Sequence, residues 1–289
     1  GRLTRGVEMD FSLSDEQVAL RDTVRRFAQA ELLPLAAELE RDNRPVPRDM
    51  VRRYAEMGLL GINTPEALGG LGLSNLDALI VLEELAKVSS AVAFPVFEAC
   101  VGPVRAIQHF APDALKQRIV PQVCAGEMIV AVSMSEPAAG TALTDLTTRG
   151  VIADGRVTIN GTKRWCSGGG HSDAYLVYTR LSDAPGAKGI GAVLVEKGSP
   201  GLSFGQPETL MGFRGVPSAD LMFDDCVVPE GNIVVPAGGF ARLMEAFDLE
   251  RCGNATMALG QASGALEDVL AYVQERQQFG KPLVDFQAV

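Results

Sequence analysis

The side chain best suited to proton chemistry is Glu250, in the run Phe247-Asp248-Leu249-Glu250-Arg251. Flanked by Phe247, Leu249, Cys252 and Ala255, its carboxylate would lose water and its pKa would rise toward the range of a general base. The alternative is a surface carboxylate or a salt bridge with a helical neighbour. Gly170-His171-Ser172-Asp173-Ala174 sets a serine beside a histidine, as a nucleophile elbow does. That device needs strand, turn, then helix, whereas Tyr175-Leu176-Val177-Tyr178 reads as a strand. Neighbouring side chains also diverge along the chain, so no Ser–His–Asp relay forms and hydrolysis is set aside.

Two other segments are built to receive a ligand. Ser135-Glu136-Pro137-Ala138-Ala139-Gly140-Thr141 has hydroxyls at both ends and a flexible backbone able to offer N–H groups to a phosphate or a ring edge. A plain strand exit explains it equally well. Trp165-Cys166-Ser167-Gly168-Gly169-Gly170 places the only tryptophan near a hydroxyl, with three glycines that admit something flat. A glycine-rich turn with a core tryptophan is the alternative. Gly69-Gly70-Leu71-Gly72 lacks GxGxxG spacing and a preceding strand, so it reads as a tight turn before a helix. Arg276-Gln277-Gln278-Phe279-Gly280 ends a helical pattern with a cation and a glycine cap.

Three zones position these residues. From Leu13 to about Glu127 the pattern is helical. Ser14 precedes Asp15-Glu16-Gln17 as a capping box, and Pro34 should kink or interrupt the first helix. A second helix starts at Asn75, and another occupies part of 113–123. From Met128 to about Val235 short strands take over. Asp154-Gly155 and Asn160-Gly161 are both hairpin signals, giving about eight strands in an antiparallel barrel or sandwich. From Gly238 to about Phe279 runs one long helix, with Leu243, Phe247, Leu259, Leu266, Leu270 and Val273 among its apolar positions. So much apolar surface wants partners, and the chain looks cut short there.

Composition excludes several classes. The 289 residues carry 26 basic and 36 acidic side chains, a formal charge of −10, which argues against nucleic acid as partner. No apolar run reaches the roughly 18 residues of a membrane span; Val88–Val104 comes nearest and reads as a buried segment. Five scattered cysteines and two distant histidines support neither disulfides nor a metal site, and fit a reducing, cytoplasmic compartment. Gly1–Glu8, polar and ahead of Met9, reads as a frayed or vector-derived end rather than a signal peptide.

Taken in order, Pro65 to Gly72, Glu83-Glu84-Leu85-Ala86-Lys87, Ser135-Glu136-Pro137 to Thr141, Trp165-Cys166-Ser167, Met211-Gly212-Phe213-Arg214-Gly215, Phe223-Asp224-Asp225 with Val228-Pro229, Asp248-Leu249-Glu250-Arg251 and Arg276 to Gly280 closely resemble the acyl-CoA dehydrogenase family. The resemblance covers 9–289. It implies an α+β chain: an N-terminal all-α domain (9–127), a middle β-barrel (128–236) and the start of a C-terminal four-helix bundle (237–289), the remainder absent. It implies FAD as cofactor and α,β-dehydrogenation of a short or branched acyl-CoA, with an electron-transfer flavoprotein as acceptor.

Glu250 matches the base of the isovaleryl-CoA-type enzymes. By resemblance, Met134, Ser135, Trp165, Cys166 and Ser167 contact the flavin, and Thr141 lies near the pyrophosphate or the CoA arm. Arg276, Phe279 and Gln287 reach FAD of a neighbouring subunit in a homodimer or homotetramer. Phe247, Asp248 and Arg251 line the substrate side, and Glu98 is the floor of the acyl pocket or a helix-end carboxylate. Gly140-Thr141-Ala142 departs from the family's Gly-Ser-Asp, which leaves room for an oxidase, a carrier-protein-thioester dehydrogenase or a catalytically incomplete member. The compartment implied is the bacterial cytoplasm before the mitochondrial matrix.

Overall fold

In the computed structural model, which describes residues 10–289, some helices begin where a side chain satisfies free backbone ends. The Gln17 N–H donates to the Ser14 hydroxyl and the Ser14 N–H donates to the Gln17 amide oxygen, so α1 (Asp15–Phe27) starts on the anticipated capping box. The α-helix is interrupted just ahead of Pro34, as expected, although the chain stays helical throughout. The chain widens into a π-helical turn at Ala28–Leu32 and continues as α2 (Leu33–Asp42), with Pro34 in its first turn, where a missing N–H is tolerated. Then come α3 (Arg48–Glu56) and α4 (Asn75–Val88), the latter opened by a second box between Ser74 and Asp77. The helices α5 (Ser90–Cys100), α6 (Pro103–Phe110) and α7 (Asp113–Cys124) complete this half. The stretch Ser90–Phe110 does have the length and mean hydropathy (1.3) of a membrane span, and 89% of that window is buried in the core. Gly1–Glu8 and Met9 lie outside the described residues.

The strands are β1 (Val130–Ser133), β2 (Arg149–Ala153), β3 (Arg156–Ser167), β4 (Ala174–Arg180), β5 (Ile190–Glu196), β6 (Leu202–Phe204), β7 (Ser218–Pro229) and β8 (Ile233–Val235). They form one sheet in the order β6-β7-β3-β2-β4-β5-β8, with β1 added on β4. Asp154 and Gly155, at φ 51° and 71°, make the expected tight turn between β2 and β3. Asn160-Gly161 is not a second hairpin. It lies within β3, where the register against β7 shifts between Ile159 and Gly161. There the Asn160 amide exchanges hydrogen bonds with Asp225, and a Cβ on Gly161 would sit 2.5 Å from the Thr148 hydroxyl. The sheet also departs from purely antiparallel pairing. β1 runs parallel to β4, Val130 to Ser133 opposite Ala174 to Val177, and β2 touches β4 in parallel at Arg149. The whole β2–β3 hairpin lies between β1 and β4 in the chain, long enough for the crossover that a parallel pair requires.

Alternation along β4 divides the interior. Ala174, Leu176 and Tyr178 face the helices, whereas Tyr175 and Val177 face a smaller core on the other side of the sheet. The long helix α8 (Phe240–Glu275) is continuous, and the ribbon β9 (Gln277–Gln278) with β10 (Lys281–Pro282) comes after it. Of the apolar positions anticipated in α8, Leu243 and Val273 are buried and Phe247 is half-buried, while Leu259, Leu266 and Leu270 are at least half exposed. The buried stripe runs instead through Leu243, Glu250, Gly253, Met257, Gly260 and Gly264. It is a stripe of small residues because α4 and α5 come so near. A Cβ on Gly260 would lie 2.6 Å from the Glu83 carbonyl, and one on Gly264 only 2.3 Å from the Lys87 carbonyl. Gly264→Ala should therefore cost about 1–3 kcal/mol by overpacking, despite alanine's better helix propensity. A denaturant midpoint equal to or above wild type would refute this packing.

Candidate active site

Glu250 is held in place by close glycine contacts along α8. Gly253, one turn on, lies so near Phe97 of α5 and Val101 just past its end that a Cβ there would sit 2.5 Å from Val101. This fixes α8 with the Glu250 side chain against α5 and the sheet. Glu250 is 8% exposed and lines a cleft of ≈ 220 Å³ with Phe97 and Glu98 from α5, Met134 and Ser135 after β1, and Trp165 to Ser167 at the end of β3. Arg164, Phe213 and Asn254 are also in the lining.

Burial pushes the Glu250 carboxyl up to about 7, against the pull of Arg251, whose Nη2 donates to Oε1 at 3.3 Å. The Arg251 guanidinium in turn rests on the Phe247 ring, 4.0 Å from its centroid. Glu98, 5% exposed, is raised well above the usual carboxylate range by burial and by the Glu250 charge. The cleft thus contains two carboxyls in a setting that favours their neutral forms.

The opposite wall is a strained strand end. Trp165 adopts φ 56°, a region that bulky residues rarely occupy; the residue is 58% exposed and lines the cleft. It is therefore no core tryptophan. Beneath it Cys166 is buried, its thiol bonded to the Val132 carbonyl at 3.3 Å and pushed by burial up to about 12, so it stays a thiol. The Arg164 guanidinium rests over the indole, 5.3 Å from its centroid, and the ring lies beside Ser135 and Ser167 in a wall that suits a planar heteroaromatic group such as a flavin.

A buried ion pair holds this wall, and sequence reasoning missed it. Lys163 Nζ donates to Glu136 Oε1 at 2.9 Å and to the Met134 carbonyl at 2.8 Å, with both side chains at most 3% exposed. The other bonds to Glu136 come from the Thr147 N–H, the Thr147 hydroxyl and the Thr148 N–H. Burial alone would raise the Glu136 carboxyl, but Lys163 and these donors bring it down to about 2. The pair ties the exit of β1 to β3 immediately before Trp165. The only local hint was that both residues stand in apolar or β-prone runs.

Of the residues singled out in the sequence, Glu98, Met134, Ser135, Trp165, Cys166, Ser167 and Glu250 come together in the cleft. Thr141 does not: it is exposed, beyond the turn closed by Glu136 and Ala139. Phe247 and Asp248 also lie outside the lining. At 100° per residue Asp248 is on the far side of α8 from Glu250, whereas Asn254, four residues on, shares its face. The flanking Cys252 and Ala255 are exposed, so contacts from α5 and the sheet, not helical neighbours, desolvate Glu250. Arg276, Phe279 and Gln287 are exposed, Phe279 at 94%. Ser172 is fully buried and its hydroxyl has no hydrogen-bond partner, and the residues after it enter β4, as the rejection of a nucleophile elbow anticipated.

Fold and cleft together define a class: a helical and β-sheet oxidoreductase fold with a buried carboxyl in a cleft between its halves. Family models match in series: the acyl-CoA dehydrogenase N-terminal domain at residues 14–127, the middle domain at 131–226 and the C-terminal domain at 237–289. The chain belongs to the acyl-CoA dehydrogenase family, FAD-dependent oxidoreductases acting on the CH–CH bond of acyl-CoA. It is 36% identical to acryloyl-CoA reductase (NADH) of Anaerotignum propionicum, over 97% of this chain and 72% of that one. It is 34% identical to mitochondrial isovaleryl-CoA dehydrogenase of Arabidopsis thaliana, over 95% and 68%. The butyryl-CoA dehydrogenase structure from Megasphaera elsdenii superposes with a TM-score of 0.92 at 31% identity, covering 97% of this chain and 74% of that one.

Proposed function

We propose that this protein dehydrogenates a short or branched acyl-CoA between Cα and Cβ, with Glu250 as the base. The observation that carries the reading is a carboxyl raised to about 7 by burial, across a cleft from an exposed tryptophan at a strained strand end. Bound FAD would supply the hydride acceptor, at its N5 atom. Met134, Ser135, Trp165, Cys166 and Ser167 hold and orient the ring, and the Glu136–Lys163 pair keeps that wall rigid. Glu250 takes the α-proton onto its carboxylate; α5 and the sheet exclude water around it, and Arg251 steadies its charge before transfer. Glu98 occupies the acyl end as a neutral carboxyl.

Outside the cleft, Thr141 is assigned to the pyrophosphate or CoA arm, and Phe247, Asp248 and Arg251 to the outer part of the substrate. Arg276, Phe279 and Gln287 are assigned to FAD of a second protomer in a homodimer or homotetramer, where their exposure leaves them free to reach. We read the units as 9–127, 128–236 and 237–289, the acceptor as an electron-transfer flavoprotein and the compartment as bacterial cytoplasm.

The test is anaerobic mixing of the FAD-loaded protein with butanoyl-, isobutanoyl- and isovaleryl-CoA, and with the same acyl groups on carrier protein. Flavin bleaching by a CoA thioester is the expected result. Bleaching only by carrier-protein thioesters would overturn the CoA assignment, and none at all would overturn the reaction.

A further inference from the structure

We propose that Phe213, acting with Phe94, is the end wall that sets which acyl chains the cleft accepts; this rests on the dehydrogenase reading of the same site. Phe213 lies in the loop between β6 and β7 and adopts φ 59°. It is thus the second bulky aromatic in left-handed backbone on the same cleft, after Trp165, and strain of this kind persists only where surroundings impose it. Here the surroundings belong to the helical half. Arg214 Nε donates to the Glu40 carbonyl at 2.8 Å and Nη2 to the Arg41 carbonyl at 3.3 Å, while the Gly215 N–H donates to Asn43 Oδ1 at 3.2 Å. A Cβ on Gly215 would stand 3.0 Å from the Ala91 Cβ, so the loop is pressed onto α5.

That clamp aims one ring. Phe213 meets Phe94 edge-on, centroids 5.3 Å apart at 89°, and Phe94 stacks on Phe97 at 5.5 Å and 13°. Phe94 also lines a second, smaller space of ≈ 30 Å³, together with Gly215, Val216 and Pro217. Phe94 and Glu98 line both spaces. They are the partition between them, and Phe213 backs the Phe94 ring from the loop side. The backbone strain at Phe213 is explained if its ring defines where an acyl chain must stop.

The experiment compares FAD-loaded wild type with F213A, F213G and F213Y on butanoyl-, hexanoyl- and octanoyl-CoA, reading kcat/KM by flavin bleaching. Dissociation constants of unreactive acyl thioether analogues of the same lengths are measured in parallel. F213A should raise the octanoyl-to-butanoyl kcat/KM ratio on the order of 10-fold, with a matching shift in the thioether ratio. F213G should show the same ratio with a higher melting temperature than F213A, because glycine adopts this backbone freely. F213Y should keep the wild-type ratio. Unchanged ratios in folded, FAD-bound F213A and F213G, or a change in melting temperature alone, overturn the proposal. If wild type is bleached by no acyl-CoA, the dehydrogenase reading fails instead, and the thioether ratios still decide the end wall.

Discussion

Glu250→Gln should reduce acyl-CoA dehydrogenation on the order of 10²–10⁴-fold or more while FAD stays bound, since the substitution removes a proton acceptor without changing size. The amide still fills the site against α5, so the cleft and its opposite wall persist. Exchange of the substrate α-proton with solvent should fall with turnover. The wild-type rate should rise with pH through about 7 and level off above, because the base must be ionised and burial has moved it there. Its stability effect has the opposite sign. The folded-state value lies above the ordinary 4.5, so folding disfavours the charged form. The penalty is absent below pH 4.5, builds as pH rises from 4.5 to about 7, and stays constant above that. Glu250→Gln should consequently be more stable than wild type at pH 8, by at most about 3 kcal/mol. Full activity, or a pH profile that is flat from 5 to 9, would remove Glu250 from the role of base.

Lys163→Met should destabilise the fold by about 3–5 kcal/mol and weaken FAD binding, because it strands Glu136 as a buried charge with no cation. The Thr147 and Thr148 donors remain, so Glu136 does not simply lose its ties, but nothing then anchors the Met134 carbonyl. Lys163→Arg tests charge against shape: with Lys163 fully buried, the larger fork has no room, and only partial recovery is expected. The acid limb carries an independent sign. Glu136 is held near 2, below its unfolded value, so its contribution is present above pH 4.5 and is lost as pH falls toward 2. Wild type should lose stability across that window, and Lys163→Met should lose less. Urea midpoints across pH 2.5–7, with FAD affinity from absorbance titration, check both; equal acid slopes would show that the pair does not set the wall.

What was legible in the sequence was local. Ser14 and Ser74 mark helix starts because a cap is satisfied within three residues, and Asp154-Gly155 marks a turn because positive φ at adjacent positions leaves few other conformations. Asn160-Gly161 carries the same kind of hairpin signal with a different outcome, since β7, some sixty residues later, supplies the partner that makes it a bulge. Glu250 was found from an apolar neighbourhood that is not what buries it. Glu136 with Lys163, and Phe213 with Phe94, escaped because each pair is assembled by the sheet or by the clamp between halves, and no spacing along the chain encodes that.

The juxtaposition of α8 with α4 and α5 has a consequence for how the molecule is made. The glycine groove on α8 meets carbonyls at Glu83 and Lys87, with the entire sheet lying between them in the chain. Closing so long a loop is entropically slow, and it gains nothing until both faces exist. During synthesis the helical half therefore waits with an open furrow while the strands pair. The cleft gains its Glu250 and Asn254 wall only once α8, made after the eight strands of the sheet, leaves the ribosome.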